Sequence, residues 1–147
     1  MKKILLGNEA INKAVLAVGV SYVSGYPGCP SAEINDGLAK IAKENNIYVE
    51  WATNEKTGLE SAIGASFSGL RSLVSMKSFG INVCSDSLLP LVYTGVKAGM
   101  VIVVLLMMAA AGKDAATILG LICCGMYVLV VGNNIRTLKR LQSRLNR

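Results

Sequence analysis

Asn54-Glu55-Lys56-Thr57-Gly58-Leu59-Glu60-Ser61-Ala62-Ile63-Gly64-Ala65-Ser66 follows closely on a short apolar run, Ile47-Tyr48-Val49-Glu50-Trp51. Leu59, Ala62, Ile63 and Ser66 recur at helical spacing, so the stretch reads as a strand handing over to a helix with Glu55 at the junction. Small residues at Gly58, Ala62, Gly64, Ala65, Ser66 and Gly69 crowd this helix. Each glycine costs a helix about 1 kcal/mol relative to alanine, which is tolerable where a neighbouring element packs very close. Two readings of Glu55 follow from its position: a first-turn acid that favours the helix dipole, or a carboxylate directed from a sheet edge into a cleft.

Outward from this stretch the pattern alternates. Towards the N-terminus, Gly7-Asn8-Glu9 caps an expected helix with apolar positions Ile11, Ala14, Val15 and Val18. Val20 to Val23 reads as a strand that ends in the loop Gly25-Tyr26-Pro27-Gly28-Cys29-Pro30-Ser31, where Ser31 serves as the expected cap of a helix over Ala32 to Asn45. Towards the C-terminus come a strand at Ser72 to Met76, the segment Lys77-Ser78-Phe79-Gly80, a helix near Ile81 to Tyr93, and a strand at Met100 to Val104. Alternating strands and helices with short loops predict an α/β three-layer sandwich with a mainly parallel sheet, whose ligands bind at the carboxyl ends of the strands. Gly25 to Ser31, Asn54-Glu55 and Lys77 to Gly80 all fall at such ends. No G-x-G-x-x-G or Walker A loop is present, so a dinucleotide or P-loop reading lacks its phosphate cradle.

Composition narrows the chemistry. With 147 residues the chain has one domain's worth of sequence, and 52% hydrophobic against 5% aromatic content makes aliphatic and small residues the core material. Histidine is absent, which removes Ser-His and Cys-His nucleophile systems and His-ligated metals. Cys29, Cys84, Cys123 and Cys124 have no C-x-x-C spacing and read as reduced thiols. The net charge of +6 belongs to the tail: residues 1–132 carry ten basic and nine acidic groups, whereas Arg136, Lys139, Arg140, Arg144 and Arg147 meet no acid. No nucleic-acid partner is expected on that distribution. The opening Met-Lys-Lys-Ile-Leu-Leu reaches Gly7-Asn8-Glu9 at once and is too short for a signal peptide.

Residues 1–104 resemble the amino-terminal domain of the alpha subunit of indolepyruvate ferredoxin oxidoreductase, within the thiamine-diphosphate-dependent 2-oxoacid:ferredoxin oxidoreductases. The runs that carry the resemblance are Leu6-Gly7-Asn8-Glu9-Ala10, Gly25-Tyr26-Pro27-Gly28-x-Pro30-Ser31, Val49-Glu50-Trp51-x-Thr53-Asn54-Glu55-Lys56, Ala62-Ile63-Gly64-Ala65-Ser66-Phe67 and Tyr93-Thr94-Gly95-Val96-Lys97. The resemblance implies a pyrimidine-binding domain of a thiamine-diphosphate enzyme. It makes Glu55 the catalytic carboxylate, hydrogen-bonded to the pyrimidine ring nitrogen, and puts Gly64 at the family's spacing from it. Tyr26, Pro27, Gly28 and Gly80 are implied as further cofactor contacts, and Cys29 and Ser31 as substrate contacts. No metal ligand is implied within this chain. Magnesium and iron-sulfur clusters would come from other domains or chains, because neither the G-D-G diphosphate motif nor a C-x-x-C-x-x-C run occurs here. The implied partners are a diphosphate-binding domain or partner subunit and a ferredoxin-type electron acceptor, in a cytoplasmic oligomer. Two positions depart from the family pattern: Cys29 stands where threonine is usual, and a thiol donates hydrogen bonds more weakly than a hydroxyl; Ser78 stands where histidine is frequent.

Beyond Val104 the resemblance stops. Leu105-Leu106-Met107-Met108-Ala109-Ala110-Ala111 stands where the family continues with an Ala-Asp-Asp-Pro loop. A two-base insertion in the valine codons would produce this change, so a frameshifted or fused tail is one hypothesis; codons incompatible with that insertion would sink it. Taken at face value, residues 105–147 form an apolar then basic tail. Ala115 to Gly132 is an uncharged run near the ~18-residue length of a membrane-helix candidate. Ile135, Leu138, Leu141 and Leu145 share a stripe that suits a membrane-surface helix, so membrane association is expected through residues 115–147 if anywhere. A buried helix and strand completing the sheet is the other expectation. The rival to an enzyme part is a catalytically inactive remnant acting as a binding or membrane-associated interaction module.

Overall fold

The computed structural model of the chain describes residues 4–105. The expectations for residues 106–147 lie outside the described residues. In chain order the elements are α1 (Gly7–Ala17), β1 (Tyr22–Gly25), α2 (Ala32–Ile41), β2 (Tyr48–Trp51), α3 (Glu55–Phe67), β3 (Ser72–Lys77), α4 (Gly80–Val83), α5 (Ser85–Thr94) and β4 (Met100–Leu105). The strands pair in the order β2-β1-β3-β4, all parallel. Ser72 to Met76 of β3 are all buried, as a strand covered on both faces requires.

Alternation along the strands sorts the core into two layers. Val23 and Leu73 face Val15 of α1 and Ile34 and Leu38 of α2. Val74 and Met76 face Leu59 and Ala62 of α3 and Cys84 at the α4–α5 junction. Ile34, Leu38 and Leu59 are fully buried, each contributing roughly 1.5–3 kcal/mol of transfer free energy. The sheet thus has helices on both faces, the expected α/β sandwich. Among the described residues no helix is long and apolar enough to cross a membrane.

Several local expectations shift. The first strand runs Tyr22–Gly25 and takes in Gly25, which the sequence places in the loop. A Cβ there would lie 2.7 Å from Asn35 Nδ2 and 2.8 Å from the Ser75 backbone oxygen, so only glycine lets β1 continue between α2 and β3. Gly7-Asn8 does not cap α1: Leu6 holds the N-cap position and Glu9 accepts its backbone N–H at 3.0 Å. Ser31 occupies the N-cap of α2 without making a cap bond, since its own backbone is helical. The helix of residues 32–41 is shorter than expected and gives way to turns that end at Asn46, whose φ of 53° breaks the helical path. The single helix expected at Ile81 to Tyr93 is two, because Cys84 leaves helical geometry to bury its thiol against Met76.

Candidate functional site

Glu55 is the first residue of α3. Asn54 caps the helix by accepting the Thr57 backbone N–H at 2.8 Å, so the capping work is done by the asparagine and the Glu55 side chain is left for another use. Among the described residues the Glu55 carboxylate has no hydrogen bond and no ion pair, and the residue is half-buried. Its neighbour on the far side is the backbone of Gly80, the first residue of α4. A Cβ at Gly80 would sit 2.6 Å from Glu55 Cγ and 3.1 Å from its Oε1. The glycine is therefore a packing requirement of the carboxylate's position.

What brings α3 so near the sheet is its run of small residues. Gly58, Leu59, Ala62, Ala65 and Ser66 form the buried face. A Cβ on Gly58 would meet Ala52 Cβ at 3.3 Å and lie 3.8 Å from the Gly25 backbone. Ser24 Oγ donates to the Gly58 carbonyl at 2.7 Å and Ser72 Oγ to the Ala62 carbonyl at 2.9 Å, so the sheet grips the helix by its own backbone. Gly64, by contrast, is exposed and has open space around it. Its likeness to the family spacing has no packing counterpart among the described residues.

The second wall of the site is the loop after β1. Gly28 lies against Lys77, the last residue of β3: a Cβ there would come within 3.2 Å of Lys77 Cβ. Ser31 is fully buried and donates its hydroxyl to the Gly28 carbonyl at 2.9 Å. This geometry makes Ser31 a brace for the loop. Tyr26, Pro27 and Cys29 are exposed on the same edge; no hydrogen bond joins them to Glu55 among the described residues. From α1, Asn8 Nδ2 donates to the Pro30 carbonyl at 3.1 Å and to Glu33 Oε2 at 2.7 Å. Under the loop, Ser75 Oγ donates to Asn35 Oδ1 at 2.8 Å, with both residues fully buried. Asn8, Asn35 and Ser75 are supports that the sequence reading passed over. A polar Asn35 beside the apolar positions Ile34 and Leu38 was the visible signal.

Charge is distributed unevenly around this edge. Lys56 pairs with Asp86 of α5 and lies 3.9 Å from Glu60, while Ser87 Oγ donates to Glu60 at 2.6 Å. The pairing raises the Lys56 pKa and lowers that of Asp86. Both groups are exposed, so this latch is weakened by salt. Farther out on β2, Glu50 accepts hydroxyls from Tyr22 and Tyr48, whose rings stack at 5.6 Å. Burial first, and Glu50 second, push the Tyr22 phenol up to about 12. Burial likewise pushes the Cys84 thiol up. Among the described residues no group of three or more acidic or thiol side chains could hold a metal ion.

A sheet in which the connection after β1 crosses one face and that after β3 crosses the other has its ligand crevice between those two strand ends. The Gly25–Ser31 loop, Glu55, Lys77 and Gly80 lie at or just after the carboxyl ends of β1, β2 and β3, beside that point. The fold is that of a 2-oxoacid:ferredoxin oxidoreductase domain: it superposes on the 2-oxoglutarate:ferredoxin oxidoreductase from Magnetococcus marinus with a TM-score of 0.66 at 20% identity, over 73% of this chain and 18% of that one. The particular resemblance is to the indolepyruvate oxidoreductase subunit IorA. The chain is 53% identical over 98 residues to that of Methanothermobacter marburgensis and 43% identical over 103 residues to that of Pyrococcus horikoshii. These matches take in 67% and 70% of this chain but 16% of each relative. The chain spans about a sixth of the relatives' length. A 2-oxoglutarate synthase subunit KorA of Methanocaldococcus jannaschii is 28% identical over 83 residues, 56% of this chain and 22% of that protein. No family model matches the chain.

Proposed function

We propose that residues 1–104 form the pyrimidine-binding part of a thiamine-diphosphate-dependent, indolepyruvate-type 2-oxoacid:ferredoxin oxidoreductase that works only with a complementary domain or subunit. The observation that carries this reading is the Glu55 carboxylate: half-buried, without a partner among the described residues, and packed against a glycine that leaves room for it alone. A carboxylate with no described partner is available to a ligand donor, and a charge-assisted hydrogen bond is the strong kind.

These residues fit thiamine diphosphate. Glu55 would share a proton with the pyrimidine ring nitrogen, a charge-assisted bond that is strong in a site from which water is excluded. The Gly80 backbone and the Tyr26-Pro27-Gly28 segment would line the ring, and Cys29 would face the substrate. The cofactor supplies, when bound, the carbon nucleophile and electron sink for 2-oxoacid decarboxylation. This chain's task is to seat and polarise it. The diphosphate and magnesium site and the iron-sulfur centres belong to further domains or partner chains, the electron acceptor is of ferredoxin type, and the assembly is an oligomer placed in the cytoplasm. Leu105 closes β4, so a tail would begin after it, and any membrane contact would be confined to residues 115–147.

A second reading is favoured by Ser78, whose Oγ is buried without a hydrogen-bond partner where the resemblance frequently has histidine. On that reading the chain keeps the fold and the subunit contact as an inactive module. Calorimetric titration of thiamine diphosphate and magnesium into the full chain plus its complementary subunit separates the two. Saturable binding that Glu55→Gln weakens at least tenfold supports the enzyme part; no binding, or binding indifferent to Glu55→Gln, supports the inactive module.

A further inference from the structure

The crevice also contains a cation that the reading above leaves without a task. Lys77 is the last residue of β3 and stands at the side of the crevice opposite Glu55's helix, since Leu73, Ser75 and Lys77 alternate onto the α2 face of the sheet. Its stem is roofed by Gly28, where an added Cβ would lie 3.2 Å from Lys77 Cβ and 3.9 Å from Cδ. The residue is half-buried. Both ion pairs among the described residues belong to Lys56, and no carboxylate of a described residue lies within 4.0 Å of the Lys77 ammonium. That ammonium sits 5.5 Å from the centroid of the Phe79 ring, whose side chain is exposed, and Tyr26 is exposed on the facing loop.

An ammonium with no carboxylate beside it among the described residues carries a charge that an anion can complete. An aromatic face attracts it only weakly, ~0.5–1 kcal/mol at an exposed site. At the crevice where this fold takes its ligands, the unmatched charge defines a place for an anion. The same loop that roofs the stem carries Cys29, and Ser31 braces it from below. The lysine and the loop therefore bound one space.

We propose that Lys77 is the anion-binding residue of this crevice and receives the carboxylate of a 2-oxoacid, with Phe79 and Tyr26 flanking the rest of the substrate. The inference rests on the functional reading above and adds a recognition residue to it. Lys77 donates up to three N–H groups to one carboxylate oxygen pair, while the ketone end of the substrate is left towards Glu55's side of the crevice.

The test titrates the full chain, joined to its complementary subunit, with phenylpyruvate, and with phenylacetone as the ketone that lacks the carboxylate. Wild type is expected to bind phenylpyruvate the more tightly. Lys77→Met should weaken phenylpyruvate by about tenfold or more, the effect of losing one charge-assisted bond, and leave phenylacetone unchanged. Lys77→Arg should restore most of the affinity. Inorganic phosphate added at the same ionic strength distinguishes a carboxylate site from a general anion site: competition by phosphate as strong as by pyruvate overturns the assignment to a 2-oxoacid. Equal affinity of wild type for the two ketones, no binding of either, or a Lys77→Met change within twofold overturns the proposal outright. Lys77→Gln, with circular dichroism as a fold control, gives a second neutral variant. Failure here leaves the Glu55-dependent cofactor titration standing, and loss of that titration leaves the carboxylate comparison readable, so the two readings fail separately.

Discussion

Gly80 shows how a single hydrogen in place of a methyl group sets the chemistry available at Glu55. An added Cβ would collide with the Glu55 side chain, which is flexible enough to swing aside. The fold should therefore survive Gly80→Ala; alanine at the start of α4 is even favoured over glycine by up to about 1 kcal/mol. What is lost is the carboxylate's position. Expected outcomes are an unchanged or slightly higher melting temperature by circular dichroism, together with at least tenfold weaker thiamine diphosphate binding in the complemented protein. A fall in both would show that Gly80 is structural and leave the positioning argument without support. Cys29 and Ser31, implied by the family resemblance as a pair of substrate contacts, separate at this scale: one is exposed, and the other is buried with its hydroxyl committed to Gly28.

At the scale of elements, the edge strand β2 is tied to β1 through side chains as well as backbone. Tyr22 and Tyr48 stand opposite each other in the parallel register and both donate to Glu50. Folding raises the Tyr22 pKa from 10.0 to about 12, chiefly by burial. The neutral phenol is thus the form the native state prefers. Below pH 10 both folded and unfolded chains keep the proton and the contribution to stability is complete. Between pH 10 and 12 the unfolded chain loses the proton first, so stability falls as pH rises through that window. Thermal melts at pH 9, 10, 11 and 12 should show a steeper decline for wild type than for Tyr22→Phe. Parallel curves would remove the Tyr22–Glu50 contact as a pH-sensitive element. The shorter helix α2 and the division between α4 and α5 belong to this scale too, because Asn46 and Cys84 trade helical continuity for a turn and for burial.

At the scale of the whole molecule, the four parallel strands and five helices of the described residues present one wall of a site, and the matched part of the chain corresponds to about a sixth of the IorA relatives. A wall of this kind completes a cofactor site only with the surface that faces it. Pull-down from the source cells with the full chain as bait should therefore recover a protein with a G-D-G diphosphate motif, read by mass spectrometry. Recovery of membrane proteins alone would favour the interaction-module reading and would move attention to residues 115–147.

The sequence by itself determined the alternation of strands and helices, the parallel sheet that follows from it, and the seat of Glu55 at a strand-to-helix junction. These depend on local periodicity and on caps such as Asn54, which act over a few residues. Runs such as Tyr26-Pro27-Gly28 and Asn54-Glu55-Lys56 also carried the family likeness. Tertiary structure alone decided which glycines matter: Gly25, Gly58 and Gly80 each meet a residue distant in sequence, while Gly64 meets none. It also decided that Ser31 braces a loop, that Asn8 reaches from α1 to Pro30 and Glu33, and that Lys77 stands without an acid beside it among the described residues. Close approach and charge pairing are properties of neighbours in space, and a chain order with two crossovers between the contributing strands does not reveal them.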